Sequence, residues 1–216
     1  MSILERAENI DRFQSLCKRC DVNRLARAKC SYTAWNDQSL AEKAREFLRE
    51  MPSTEGGEDL TVVIMNPSAE AGMPHTRAPS VICLPAYWPE ARLADTLKHE
   101  LVHISQRRIP DVWETRARME GWVRVQESVI PENWLRRCRL NPDTAAARFF
   151  AWEGRHVPLP LFVREDKPDL REIVVRWYDM RDGIVKAVAP SSFSKKYGGG
   201  LGQSSMEHPY ELWAYA

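Results

Sequence analysis

The chain has 216 residues, enough to bury a sizeable core, and a single domain is expected. Its 31 Lys and Arg against 30 Asp and Glu leave a net charge of +1, so no global field marks it as a binder of nucleic acid or anionic membranes. No apolar run approaches the roughly 20 residues of a membrane span, and residues 1–8 lack the basic-then-apolar order of a secretory signal. These features lead to the expectation of a monomeric, cytoplasmic protein with neither membrane nor nucleic acid as partner.

The five cysteines are odd in number and unevenly spread, as reduced thiols rather than a disulfide framework would be. Cys17 and Cys20 have metal-ligand spacing, with Cys30 further on, but Cys83 and Cys138 supply no second tight pair. Core or surface thiols are the better reading.

Residues 1–50 are charge-rich with helical spacing, clearest over 39–48, where Ser39 and Glu42 resemble a capping box. A polar break at 52–59 precedes a β-branched run at 60–65, which is read as a buried strand. A second strand is expected at 80–84, running into Pro85-Ala86-Tyr87-Trp88-Pro89, with Pro89 able to occupy a first helical turn.

Residues 90–108 then read as a helix whose Leu93, Leu97, Leu101 and Ile104 form one apolar stripe. At about 100° per residue, His99 and His103 lie within ~40° of each other on a different, polar face shared with Arg92, Asp95 and Gln106. Side chains four apart on a helix have Cβ atoms about 5 to 6 Å apart, from which two imidazoles can converge on one metal ion. Glu100 projects beside that pair, placed as a general base toward a water that zinc would acidify. Two histidines flanking a Glu at these offsets would arise by chance in roughly one such sequence in a hundred, so metal binding outweighs two solvated surface histidines.

A catalytic zinc needs a third protein ligand. Residues 209–215 place a Pro at a helix start and Glu211 two residues later, so Glu211 is expected to point from a second helix toward the first. Glu120 is the competing ligand, although Gly121 suggests a helix end there, and His208 is a weaker rival.

His99-Glu100-x-x-His103 together with Pro209-Tyr210-Glu211-Leu212-Trp213-Ala214 resembles metallopeptidases of the gluzincin group, in which a downstream Glu completes the zinc site. The runs at 97–106, 139–143 and 207–211 look more closely like metallopeptidase-like proteins of large DNA viruses and algae. The resemblance spans roughly residues 80–216 and leaves 1–50 outside it. It implies a zincin-like fold, a Zn2+ cofactor held by His99, His103 and Glu211, Glu100 as catalytic base, and a peptide or protein substrate.

An oxyanion donor is sought among Tyr197, Tyr210 and His156, with Tyr197 preferred because it stands in a glycine-rich loop shortly before the ligand helix. Asp143, in the turn Asn141-Pro142-Asp143-Thr144, either orients a ligand histidine or simply makes the turn. Strands are expected at 147–152, 158–163, 172–178 and 183–188, an antiparallel sheet inserted between the two ligand helices. The eight tryptophans are expected mostly in the core, with some free to line a substrate groove. Arg136, Arg137 and Arg139 are expected at a solvated helix end.

The fold class that follows is α+β: N-terminal helices over 1–50, then a catalytic core over 60–216. That core comprises a mixed sheet whose edge strand precedes the active-site helix, a β-rich insertion and a short closing ligand helix. Two other functions stay open: a zinc amidase on a small or cell-wall substrate, and a zinc-binding protein without turnover.

Overall fold

The computed structural model describes residues 1–50, 60–198 and 200–216. The polar break at 52–59, and Gly199 of the glycine-rich loop, lie outside the described residues.

Four helices open the chain: α1 (Ile3–Asp11), α2 (Phe13–Arg19), α3 (Asp21–Ala26) and α4 (Gln38–Glu50). A capping box is present on α1, where Ser2 and Glu5 exchange bonds, but not at Ser39. The Asp37 carboxylate accepts the Leu40 N–H instead, so α4 starts ahead of the Ser that the sequence pattern favoured.

Strands β1 (Thr61–Met65), β2 (His75–Arg77) and β3 (Val81–Pro85) form a mixed sheet in the order β1-β3-β2, with β1 parallel and β2 antiparallel to β3. Its period-2 alternation buries both faces. Val62, Ile64, Ile82 and Leu84 meet α4 and the apolar stripe of α5 (Leu93–Arg108), whereas Val63, Met65, Val81 and Cys83 face Ile3, Leu4 and Tyr32. The strand before α5 is therefore central rather than an edge, which corrects the sequence expectation: β2, too short to be read from alternation, covers it.

After α6 (Pro110–Glu120) the chain builds a five-stranded antiparallel sheet from β4 (Trp122–Arg124), β5 (Phe150–Trp152), β6 (His156–Phe162), β7 (Ile173–Asp179) and β8 (Ile184–Lys186), in sequence order. A short helix, α7 (Glu132–Leu135), lies between β4 and β5. One face of this sheet packs Phe149, Ala151, Val157, Leu159 and Leu161. The other carries Trp122, Trp152 and Trp177 against α8 (Ser191–Tyr197) and α10 (Pro209–Ala214), with α9 (Gln203–Met206) between those helices. The α+β class and the inserted antiparallel sheet thus match the sequence reading.

Arg139 departs from it. Its guanidinium is buried and bonds both Glu207 carboxylate oxygens, at 2.8 and 2.7 Å, instead of ending a solvated helix. The five cysteines are free; Cys17 is buried, and Cys20 Sγ donates to the Arg136 carbonyl at 3.0 Å. Among the described residues Cys17, Cys20 and Cys30 do not form a ligand cluster. No described helix is long and apolar enough to cross a membrane.

Candidate metal centre

Helix α5 rests on the three-stranded sheet and α10 rests on the five-stranded one, so the place where the two helices meet is set by both cores. The apolar stripe Leu93, Leu97 and Ile104 holds one side of α5. That orientation turns His99 and His103 toward α10. Helix α10 is only six residues long, too short to persist alone, and depends on docking. Tyr210, Leu212 and Trp213 supply it by entering the tryptophan cluster. Tyr215, just past the helix, is partly exposed, with its ring 4.4 Å from that of His99.

His208 caps α10. Its Nδ1 accepts the Tyr210 N–H at 3.1 Å, and its Nε2 donates to the Ala147 carbonyl at 2.7 Å, so neither nitrogen is free for a metal. The cap fixes the first turn of α10 and aims Glu211 at α5. His99 Nε2 and His103 Nε2 face each other at 3.1 Å, and the two Glu211 oxygens stand 3.6 Å from them, one from each. Ligand atoms of these three residues all lie within 4.8 Å of one another. Tetrahedral ligands about 2.0 to 2.1 Å from a zinc ion stand roughly 3.3 Å apart, so the donor types and their spacing fit that ion.

Glu120 is not brought to this place. It ends α6 where Gly121 turns left-handed at φ 98°, and its carboxylate takes Arg116 Nε at 3.0 Å and the Tyr197 hydroxyl at 2.9 Å. Tyr197 is likewise displaced from the assigned role: it is the last residue of α8, not a loop residue. Its hydroxyl is held between Glu120 and Trp122 Nε1, and its ring packs on Trp152 and Phe193. Tyr210 is buried with Trp113, Phe150 and Trp213, and His156 lies on β6 beside Asp179. None of these three candidates lines the cleft beside the ligands.

That cleft has a volume of about 810 Å³, and Tyr215 is the tyrosine in its wall. No motif singled Tyr215 out. A hydroxyl-bearing residue four positions beyond Glu211 is the one signal that would have done so.

Glu100 is 2% exposed, and its Oε2 has no hydrogen-bond partner among the described residues. Burial pushes its carboxyl well above the usual range, and Asp143 and Glu211 add to that against the opposing His103. A carboxyl of raised pKa with one free oxygen beside the ligands is suited to receiving a proton.

Two residues outside the ligand set hold it in place. Gln106 Oε1 accepts from His103 Nδ1 at 2.7 Å, leaving Nε2 to face the site, and Gln106 Nε2 ties α5 to the Tyr210 carbonyl at 3.1 Å. Asn141 Nδ2 donates to Glu211 Oε1 at 2.8 Å and to Glu207 Oε1 at 2.7 Å, while Arg139 neutralises Glu207. Asp143 does not orient a histidine. Its Oδ1 accepts the Thr76 N–H and hydroxyl, both at 2.6 Å, and its own N–H closes the turn on Asn141. Groups that orient metal ligands typically change affinity 10–100-fold. Asn141→Ala is accordingly expected to weaken zinc binding about 10–100-fold in a chelator competition, with α5 and α10 still docked by circular dichroism.

His103 and Glu211 carry opposite charges 3.6 Å apart. Burial opposes the His103 imidazolium, but Glu211 outweighs burial and raises His103 from 6.5 to about 10. Burial likewise opposes the Glu211 carboxylate, and His103 and His99 outweigh it, lowering Glu211 from 4.5 to about 2. The His103 contribution to stability is therefore complete below about 6.5 and lost as pH rises through about 10. That of Glu211 is present above 4.5 and lost as pH falls through about 2. A zinc ion taken up near pH 7 would have to displace the His103 proton. Calorimetry in buffers of different ionisation heat is expected to count about one proton released per zinc; release of none would mean that His103 is neutral beforehand.

No protein-family model, curated protein or solved structure matches the chain.

Proposed function

We propose that the chain is a zinc-dependent hydrolase of amide bonds, of the zincin metallopeptidase type. The observation that carries this reading is the convergence of His99, His103 and Glu211 from two helices more than a hundred residues apart in sequence, with the buried Glu100 carboxyl next to them. His99, His103 and Glu211 would hold the ion, which supplies Lewis-acid chemistry, polarising a carbonyl and acidifying water.

The chain's own residues account for the remaining steps. Glu100 takes a proton from the attacking water, whose oxygen bonds to the carbonyl carbon, and passes that proton to the leaving nitrogen as the C–N bond breaks. Tyr215, in the cleft wall against His99, is the hydroxyl available to the developing oxyanion. Burial raises its pKa to about 12, and Glu211 and Glu207 add to the shift, so it stays a donor throughout the neutral range. Gln106 and Asn141 keep the ligand atoms oriented. The test is turnover by the zinc-loaded chain on amide substrates, compared with its Glu100→Gln variant.

A further inference from the structure

The sheet edge at the cleft is closed, and from this we infer that the substrate is a compact amide or a short peptide end held by side chains, not an extended polypeptide added to the sheet as a strand. The inference rests on the zinc-hydrolase reading of the site. An added strand bonds through the outward N–H and C=O groups of alternate residues on an edge strand. The edge beside the cleft is β2, whose His75 lines the cavity. Its outward positions are 74, 76 and 78, because the Thr76 N–H and C=O turn to Asp143 and Arg107, away from β3, and alternate residues share that direction.

All of the outward donors are committed or missing. Pro74 has no N–H. The Thr76 N–H donates to Asp143 at 2.6 Å, and the Ala78 N–H donates to Asp11 at 3.1 Å. The acceptor at Thr76 is taken as well, its carbonyl receiving Arg107 at 3.1 Å. Thr76 and Asp143 are buried and Arg107 is partly so, so an added strand would strip the Asp143 carboxylate of its backbone donor and leave Arg107 only the Pro142 carbonyl. The C-terminal end of the opposite edge is covered too: the Trp35 N–H bonds the Ile64 carbonyl at 2.7 Å, and the Asn66 N–H bonds the Thr33 carbonyl at 2.9 Å.

The remaining means of holding a substrate is the cleft itself. Its volume of about 810 Å³ falls in the range of small-molecule sites, about 300–1,000 Å³. Met73, Trp88 and Tyr215 give its lining apolar surface, and Arg171 gives it a cation.

The experiment uses the zinc-loaded chain and three zinc-seeking probes, with affinities measured by calorimetry: benzohydroxamate, an extended tripeptidyl hydroxamate, and the same compound with backbone esters in place of amides. Ester replacement removes N–H donors without adding bulk. The expected result is that benzohydroxamate binds at least as tightly as the tripeptidyl compound, and that ester replacement changes affinity by less than about threefold. Tighter binding of the tripeptidyl compound by about tenfold or more, lost on ester replacement, would overturn the inference. So would failure of all three to bind the zinc-loaded chain. If the chain takes up no zinc, it is the zinc-hydrolase reading that fails, and the inference falls with it.

Discussion

Glu100→Gln is expected to leave zinc binding at one ion per chain while lowering amide hydrolysis by about 10²–10⁴. The substitution keeps the size and one acceptor oxygen of a residue whose Oε2 no described side chain bonds. It removes the ability to accept a proton. Because burial already disfavours the Glu100 carboxylate, a neutral Gln is not expected to destabilise the fold. Stability and zinc content therefore separate catalytic loss from structural loss. A variant with full zinc and unchanged turnover would remove Glu100 from the mechanism. Stoichiometric zinc without turnover in the wild type, on both protein and small-amide panels, would favour a binding protein.

Arg27→Met is expected to cost about 3–5 kcal/mol, the usual effect of leaving a buried charge without its partner. Arg27 bonds both Glu70 oxygens at 2.8 Å, and its remaining donors reach Asn23 at 2.9 Å and the Leu140 carbonyl at 2.6 Å. Both side chains are almost fully buried, and Tyr32 adds a hydroxyl to Glu70. Glu70 also sits in the left-handed region at φ 44°, a conformation that costs roughly 1–3 kcal/mol for a residue with a side chain and persists because its surroundings hold it. The pair thus ties α3 and the Leu140 segment to the residues that begin one wall of the cleft. Urea unfolding of the metal-free variant checks the figure, and a loss below about 1 kcal/mol would contradict it. Arg27→Met combined with Glu70→Leu is expected to recover part of the loss, since no buried charge is then left unpaired.

The helical repeat made much of the site legible. Spacing of four put His99 and His103 on one face, Glu100 beside them and Gln106 on the same side, although the Gln106 contact to His103 became apparent only with the structure. A Pro at a helix start pointed to Glu211, and the aromatic residues after it explain why so short a helix docks. What could not be read depends on contacts between distant segments. Tyr197 looked like a loop residue because three glycine positions follow it, yet its ring completes the tryptophan cluster. Arg139 looked solvated among neighbouring arginines, but its partner Glu207 lies 68 residues away. The position of β3 within its sheet turned on β2, whose three residues include His75 and Arg77, both buried, so that polar residues hid an interior strand.

The zinc-hydrolase reading stands on His99, His103 and Glu211 holding the metal. Zinc titration of the metal-free wild type beside Glu211→Ala and Glu120→Ala tests it most directly. Wild type and Glu120→Ala are expected to take up one zinc per chain with equal affinity, and Glu211→Ala to bind at least about 100-fold more weakly. Full zinc affinity in Glu211→Ala, or its loss in Glu120→Ala, would contradict the assignment.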